Sequence, residues 1–281
     1  MTPRQSSSQE PGTSPVQLGI VPYANAWPLT RFLPDLLPGC RMTPYLPSQL
    51  QFRLISHHID VALMPIAALM ELPTGMILGN ACIGCRGPVE SVLIVSKKPL
   101  SKIRTIAMDI SSRSSVLLAE VLFHEFYGIK PKKYRLPVET DPLALPTDAF
   151  LIIGNPALQL ETCDPWNYRY DLGELWEQKT SLPFVFAAWI ACRHKQRDDR
   201  STAAAISEAR NRGMAAVPQI IEEQIDALPV SPERMRHYLT RSIRYVLGSD
   251  ERIAIDAFIE LAMLHRLIPA RNRILYLDDD N

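Results

Sequence analysis

Short apolar runs alternate with segments whose apolar residues recur at helical spacing, from residue 16 to about residue 192. Strands are predicted at residues 16–21, 42–45, 59–64, 89–95, 105–108, 134–137, 149–153 and 182–192. Helices are predicted between them at residues 27–37, 48–57 and 116–126. Strands and helices that alternate within a few tens of residues indicate βαβ crossovers around a mainly parallel sheet. The sequence therefore predicts an α/β fold.

The last third of the chain has a different pattern, because after Arg193 the composition shifts to Ala, Arg, Glu and Gln. Three helices are predicted there, at about 200–227, 231–246 and 250–266. Ser231 directly precedes Pro232, which is the order expected of an N-cap residue and the first helical position. We expect these helices to pack on the sheet and the strands largely to stop.

Charge and length argue against several classes of partner. The 281 residues carry 30 Lys and Arg against 30 Asp and Glu, so no net positive field is available to attract nucleic acid. Residues 1–15 contain no apolar run, which predicts a disordered tail rather than a secretory signal. The apolar stretch 182–192 is shorter than the roughly 20 residues that cross a bilayer. We expect neither a nucleic-acid nor a membrane partner, and we make no prediction of oligomeric state.

Five dispersed cysteines are typical of free thiols in a reducing compartment, so a cytoplasmic location is expected. Cys82 and Cys85 have the spacing of a redox pair or of half a zinc site, but no second pair of ligands follows. Gly84 and Gly87 predict a turn there, and we interpret both cysteines as small buried residues. The histidines are scattered, and no glycine-rich phosphate loop occurs. Neither a metal nor a cofactor is expected.

A polar segment at residues 109–115 lies between a predicted strand and a predicted helix. Backbone N–H groups at a helix start, serine hydroxyls and the Arg113 guanidinium together favour binding of a carboxylate or phosphate. The alternative is that the serines only cap the helix and Arg113 is solvated. The segment is compatible with both interpretations.

Other predicted strands also carry small or polar residues. Asn25 lies in a turn after the first strand, Ser91 lies in an apolar strand, and Gly154 and Asn155 follow another strand. Ligands of open parallel sheets bind at the carboxyl ends of strands, so these positions predict a cleft. The alternatives are a turn role for Asn25, a backbone-bonded Ser91 and plain β-turns elsewhere.

Taken together, six segments resemble the chorismate dehydratases of the futalosine route to menaquinone, a family built like type II periplasmic binding proteins. The segments occur in the family's order and are GIVPYANAWPL (19–29), IDVALMPIAAL (59–69), CIGCRGPVESVLIVSKKPL (82–100), SSRSSVLLAEVL (111–122), LIIGNPAL (151–158) and YDLGELWEQKTSLPFVFAAW (170–189). The chain departs from the family at Ala24, where Leu is usual, and at Asn155, where Asp is usual.

The resemblance implies a two-lobed fold with a ligand cleft between the lobes, crossed by the chain near residues 92–100 and 183–192. The implied division is residues 16–95 and 186–281 for the first lobe and 96–185 for the second. Asn25 and Ser91 match the two residues that the family places beside the reacting ring, and are the expected catalytic residues. The expected substrate-binding residues are Tyr23, Ser112, Arg113, Ser114, Ser115, Gly154, Asn155 and Phe186.

The implied reaction removes the ring hydroxyl of chorismate and a neighbouring ring proton, giving 3-[(1-carboxyvinyl)oxy]benzoate and water. No Asp, Glu or His in the matched motifs is an evident general base, so we expect the substrate's enolpyruvyl carboxylate to take the proton. The alternatives are a 1,4-dihydroxy-6-naphthoate synthase of the same pathway and a non-catalytic cytoplasmic protein that binds carboxylates.

Overall fold

The computed structural model describes residues 15–109, 112–136, 141–160, 166–192, 199–269 and 274–278. The predicted tail lies outside these residues except for Pro15. The strands are β1 (Gln17–Ile20), β2 (Arg41–Pro44), β3 (Val61–Pro65), β4 (Gly75–Cys85), β5 (Val92–Ser96), β6 (Thr105–Met108), β7 (Lys132–Arg135), β8 (Ala149–Ile153), β9 (Tyr168–Asp171), β10 (Phe184–Cys192), β11 (Arg244–Val246) and β12 (Leu275–Leu277). The helices are α1 (Trp27–Thr30), α2 (Leu33–Leu36), α3 (Pro47–Ile55), α4 (Arg113–Val121), α5 (Asn155–Gln159), α6 (Leu172–Thr180), α7 (Asp199–Ala215), α8 (Val217–Gln224), α9 (Pro232–His237) and α10 (Ser249–Leu264).

The strands form two sheets, which confirms the α/β class and the expectation of two lobes. The first sheet has seven strands in the order β11-β4-β10-β3-β1-β2, with β12 also paired to β4. The second has five strands in the order β7-β6-β8-β5-β9. Both sheets are mixed rather than mainly parallel, because β10 runs antiparallel to β3 and β4, and β5 runs antiparallel to β8 and β9.

The chain passes between the sheets one strand earlier than predicted. β4 pairs in the first sheet as far as Cys85, and β5 pairs along its whole length with β8 and β9 of the second sheet. The connecting segments are therefore residues 86–91 and 181–183. A first lobe that extends to residue 95 does not match this pairing, since β5 belongs to the second sheet.

Strand β4 replaces the turn predicted around Gly84. This position of the strand requires glycine, because a Cβ there would approach the Phe184 carbonyl oxygen to 2.7 Å. Gly79, with φ of +66°, permits an irregular backbone in the same strand. Cys82 and Cys85 are buried free thiols in β4, as interpreted from the sequence.

The helix predicted at 231–246 is wrong in its second half. The Ser231 hydroxyl accepts a hydrogen bond from the Arg234 N–H, which confirms the predicted N-cap. Helix α9 ends at His237, however, and a π-helical turn at Tyr238–Ser242 leads into β11. The strand forms because its partner β4 supplies hydrogen bonds that are remote in sequence.

The first lobe also holds a broken helix where a continuous one was predicted. Residues 27–37 form two short helices, and each has a proline, Pro28 or Pro34, in its first turn. The helix predicted from residue 116 begins earlier, at Arg113, and its last turn, Leu122–Phe126, is π-helical.

A large hydrophobic cluster joins both sheets and the C-terminal helices. A smaller cluster covers the other face of the second sheet around Phe150 and Trp166, whose rings meet edge to face at 4.9 Å. Within the described residues, no helix is long and apolar enough to cross a membrane.

Candidate active site

A cavity lies between the two sheets and is lined by seven of the ten predicted site residues. Those seven are Tyr23, Asn25, Ser91, Ser112, Ser115, Gly154 and Phe186. Most of the other lining residues are apolar, and the described lining contains no Asp, Glu, His, Lys or Arg. The site is therefore a mainly apolar cavity with a few polar atoms whose positions are fixed by the fold.

The two predicted catalytic residues are joined by a third residue. The Tyr238 hydroxyl donates to Ser91 Oγ at 2.8 Å and accepts from Asn25 Nδ2 at 3.2 Å. Ser91 and Tyr238 are both only 1% exposed. Burial raises the pKa of Tyr238 to about 12, although its bonds to Ser91 and Asn25 lower it. The tyrosine is therefore protonated at neutral pH.

The segment that carries Ser91 is held by a buried carboxylate. Asp171, at the end of β9, accepts hydrogen bonds from the N–H groups of Val89 at 3.0 Å and Glu90 at 2.6 Å. It also accepts from the first turn of α6 and so acts as the N-cap of that helix. Burial raises the pKa of Asp171, and these N–H donors offset part of the effect. One side chain thus fixes both the connecting segment and the helix after β9.

Glu90 holds the same segment from the other side. It has a left-handed backbone with φ of +63°, which is uncommon for a residue other than glycine. Its carboxylate accepts a hydrogen bond from the Ser242 hydroxyl and lies 3.3 Å from His237 Nε2. The residue before Ser91 is therefore tied to the C-terminal part of the first lobe.

The second lobe contributes a helix start and a glycine. Ser112 and Ser115 face the cavity with their hydroxyl oxygens 3.0 Å apart. Within the described residues, Ser112 makes no capping bond through its side chain, and the N–H groups at a helix start are potential donors to a ligand. Gly154 has φ of +69°, and a Cβ there would lie 3.0 Å from the Tyr23 ring. Its N–H donates to the Ser91 carbonyl at 2.8 Å.

The other three predicted substrate-binding residues, Arg113, Ser114 and Asn155, are absent from the cavity lining and contact the first lobe instead. Ser114 Oγ accepts from the Ala67 N–H at 3.1 Å, and Asn155 Oδ1 accepts from the Ala24 N–H at 3.3 Å.

Arg113 differs from both sequence interpretations, because it is neither in the cavity nor simply solvated. Its guanidinium pairs with the Glu71 carboxylate and donates to Gln51 Oε1. Burial raises the pKa of Glu71, but the bonds from Gln51 and Arg113 outweigh it and leave the pKa below its usual value. The arginine therefore bridges the lobes in this conformation.

Phe186 reaches the cavity through an irregularity in β10. Val185 pairs with Gly84 and Ala187 with Ile83, so Phe186 is an extra residue in the ladder. A bulge of this kind redirects a side chain out of the regular alternation. The ring packs edge to face on Phe184, with centroids 4.7 Å apart.

Sequence reasoning missed Tyr238, Glu90 and Asp171. Glu90 and Asp171 lie inside matched motifs, next to Ser91 and at the start of α6, and the DLG sequence is a recognisable N-cap signal. Tyr238 lies in a segment predicted to be one helix, where a buried aromatic residue is indistinguishable from core. Nothing in its local sequence marks it as part of the site.

Comparisons with known proteins identify the family of this chain. A family model described as menaquinone biosynthesis matches residues 16–263. A chorismate dehydratase from Thermus thermophilus is 30% identical over 262 residues, which cover 88% of this chain and 94% of that protein.

Two solved structures share the fold at low sequence identity. A protein from Archaeoglobus fulgidus has a TM-score of 0.73 and 15% identity, covering 91% of this chain and 99% of that one. A Candida albicans protein with the generic periplasmic binding protein fold has a TM-score of 0.58 and 12% identity, covering 92% of each chain. The fold is therefore that of periplasmic binding proteins, and the chain belongs to the menaquinone biosynthesis family.

Proposed function

We propose that this protein is a chorismate dehydratase, a carbon–oxygen lyase that converts chorismate to 3-[(1-carboxyvinyl)oxy]benzoate and water. The observation that carries the proposal is the pair formed by Asn25 and Ser91 in a cavity whose described lining holds no charged side chain. The likeness to the Thermus enzyme over most of both chains supports the same reaction.

The reaction breaks a ring C–H bond and a ring C–O bond, and the ring becomes aromatic. The carbanion that forms first is conjugated through the ring double bond to the ring carboxylate, so charge moves onto that group. Donors aimed at developing charge lower the barrier in a site from which water is excluded. The N–H groups at the start of α4 and the hydroxyls of Ser112 and Ser115 are suited to bind this carboxylate.

The proton is proposed to pass to the enolpyruvyl carboxylate of the substrate and to end on the departing hydroxide, giving water. The described cavity lining offers no carboxylate or imidazole as an alternative base. Orientation within one molecule contributes effective molarities worth on the order of 7 to 11 kcal/mol in the best cases. The protein would then act mainly by holding one conformation of the substrate in a dry cavity.

Asn25 and Ser91 are the proposed catalytic residues, and would contact the leaving hydroxyl or the side-chain carboxylate. Tyr23 and Phe186 offer aromatic surface to the ring, and Gly154 leaves room for it. We place the enzyme in the cytoplasm and expect it to need no metal or cofactor. Neither nucleic acid nor a membrane is a proposed partner.

The test is to mix the purified protein with chorismate, without added cofactor, and follow the mixture by chromatography and mass spectrometry. The expected product is lighter by one water, retains the enolpyruvyl group and absorbs as a substituted benzoate. Unchanged chorismate, beside an active control enzyme, would contradict the proposal. A thermal-shift screen of dicarboxylates and a cyclic futalosine derivative would then separate a binding protein from the naphthoate synthase.

A further inference from the structure

We propose that Tyr238 is a positioning residue that fixes the hydrogen-bond polarity of Asn25 and Ser91, so that Ser91 donates to the leaving hydroxyl and Asn25 accepts from it. The inference rests on the proposed function for the identity of the substrate. The polarity itself rests on three hydrogen-bonding side chains that the fold brings together from distant parts of the chain.

The Tyr238 hydroxyl has a single hydrogen to donate. That hydrogen is donated to Ser91 Oγ at 2.8 Å, and the tyrosine oxygen accepts from Asn25 Nδ2 at 3.2 Å. Because Ser91 Oγ already accepts from the tyrosine, its own hydrogen is free to turn elsewhere. Ser91 lines the cavity, so a ligand is the natural acceptor.

The same bonds determine what Asn25 presents. One hydrogen of its NH2 group is donated to Tyr238, and its carbonyl oxygen Oδ1 is buried with no hydrogen-bond partner among the described residues. A buried, unpaired acceptor is costly unless a ligand satisfies it. Asn25 also lines the cavity, so the site offers one donor and one acceptor side by side.

A hydroxyl group is the simplest partner for this pair, because it carries one hydrogen to donate and lone pairs that accept. The ring hydroxyl of chorismate would donate to Asn25 Oδ1 and accept from the Ser91 hydroxyl. As the C–O bond breaks, negative charge grows on the departing oxygen, and the bond from Ser91 strengthens. Asn25 thus selects a hydroxyl, and Ser91 stabilises its departure.

Without Tyr238, the two residues have no fixed roles, since a serine hydroxyl rotates freely and an amide donates as readily as it accepts. Tyr238 does not line the cavity, so it acts only through its two partners. The fold fixes it firmly. It begins the π-helical turn at Tyr238–Ser242, and Ser242 at the end of that turn donates to Glu90, the residue before Ser91.

The test compares Tyr238→Phe with Tyr245→Phe, a matched control. Tyr245 is also buried, but its hydroxyl has no hydrogen-bond partner among the described residues. For Tyr238→Phe we expect kcat for chorismate to fall by about tenfold, which is the rate effect of losing one typical hydrogen bond. We expect KM to stay within about threefold of wild type. For Tyr245→Phe we expect both constants within about twofold of wild type, because no bond is lost.

A second arm tests whether the effect passes through Ser91. In a Ser91→Ala background, adding Tyr238→Phe should lower kcat by clearly less than the roughly tenfold expected in wild type, because the bond to Ser91 is already gone and only the bond to Asn25 is left to lose. Full additivity of the two losses would overturn the proposal. So would an unchanged kcat in Tyr238→Phe when wild type is active.

A third arm needs no substrate. In protein labelled with ¹³C at tyrosine Cζ, Ser91→Ala should shift the Tyr238 resonance and leave that of Tyr245 in place, each assigned by its Phe variant. A Tyr238 resonance that does not move would overturn the polarity. A resonance that moves, in a protein that leaves chorismate unchanged, would support the polarity and overturn the proposed function instead.

Discussion

The two walls of the cleft are built in different ways. The first-lobe wall depends on the side chains of Asn25 and Tyr238, and Tyr238 joins Asn25 to Ser91 on the connecting segment. The second-lobe wall relies largely on the main chain, through the start of α4 and the positive φ of Gly154. One wall therefore needs particular functional groups, and the other needs a particular backbone shape. Substitutions on the two walls should therefore differ in how much they lower turnover and in whether they also lower stability.

The largest effect is expected on the first wall, from loss of a functional group. Asn25→Ala and Ser91→Ala should each lower kcat by about 10²-fold, because Ser91 supplies the bond that strengthens as the oxygen departs and Asn25 supplies the bond that orients the leaving hydroxyl. The measurement is steady-state turnover of chorismate. Ser96→Ala is the matched control, since this buried serine lies in β5 but donates to the Asp148 carbonyl. Near-normal turnover in both site variants would remove the distinction between the walls.

The next effect concerns the backbone of the second wall. Gly154→Ala should destabilise the protein by about 1–3 kcal/mol, because alanine is strained at φ of +69°. The new Cβ would also push on the Tyr23 ring, so kcat/KM should fall by on the order of tenfold. Thermal unfolding measures the loss of stability, and steady-state turnover of chorismate measures kcat/KM.

Gly128→Ala separates the two contributions. Gly128 has φ of +62°, but nothing lies within 4 Å of the added Cβ. We expect a similar loss of stability with kcat/KM unchanged. If Gly128→Ala and Gly154→Ala lower turnover equally, the close approach to Tyr23 has no role in the site.

The smallest effect is expected where the lobes meet outside the cavity. Arg113→Ala removes a half-exposed ion pair with Glu71, which is worth about 0–1 kcal/mol. KM for chorismate should stay within about threefold of wild type, and Glu71→Gln should behave alike, because both changes break one pair. An increase in KM on the order of 100-fold in Arg113→Ala alone would show that the guanidinium binds substrate, as the sequence predicts.

Much of the fold could be predicted from local sequence patterns, because apolar runs and helical spacing of apolar residues indicate which residues are buried. Strands β1, β3, β6 and β8 lie where the sequence predicts them. Strand β4 was missed, and its Gly84 was interpreted together with Gly87 as a turn. It is a strand because β10 and β11 pair with it, and those partners lie about a hundred residues or more further along the chain.

The site was predictable to the extent that its residues lie in matched motifs. Asn25, Ser91 and Gly154 do line one cavity. Arg113 was assigned to the substrate because charge suits an anion, yet Glu71, which lies outside every matched motif, competes for it. Partners chosen by tertiary contact are invisible to local sequence reasoning, and Tyr238 is the clearest instance.

The bond from Asn25 to Tyr238 spans 213 positions of the chain, and the bond from Tyr238 to Ser91 spans 147. During synthesis, both cavity residues leave the ribosome long before the tyrosine that orients them. Domains generally fold from the N-terminus as they emerge, so the walls can begin to form while the pair is still unoriented. Closing such distant contacts is also slow. A nascent or truncated chain should therefore lack full activity, which restricts efficient turnover to finished molecules.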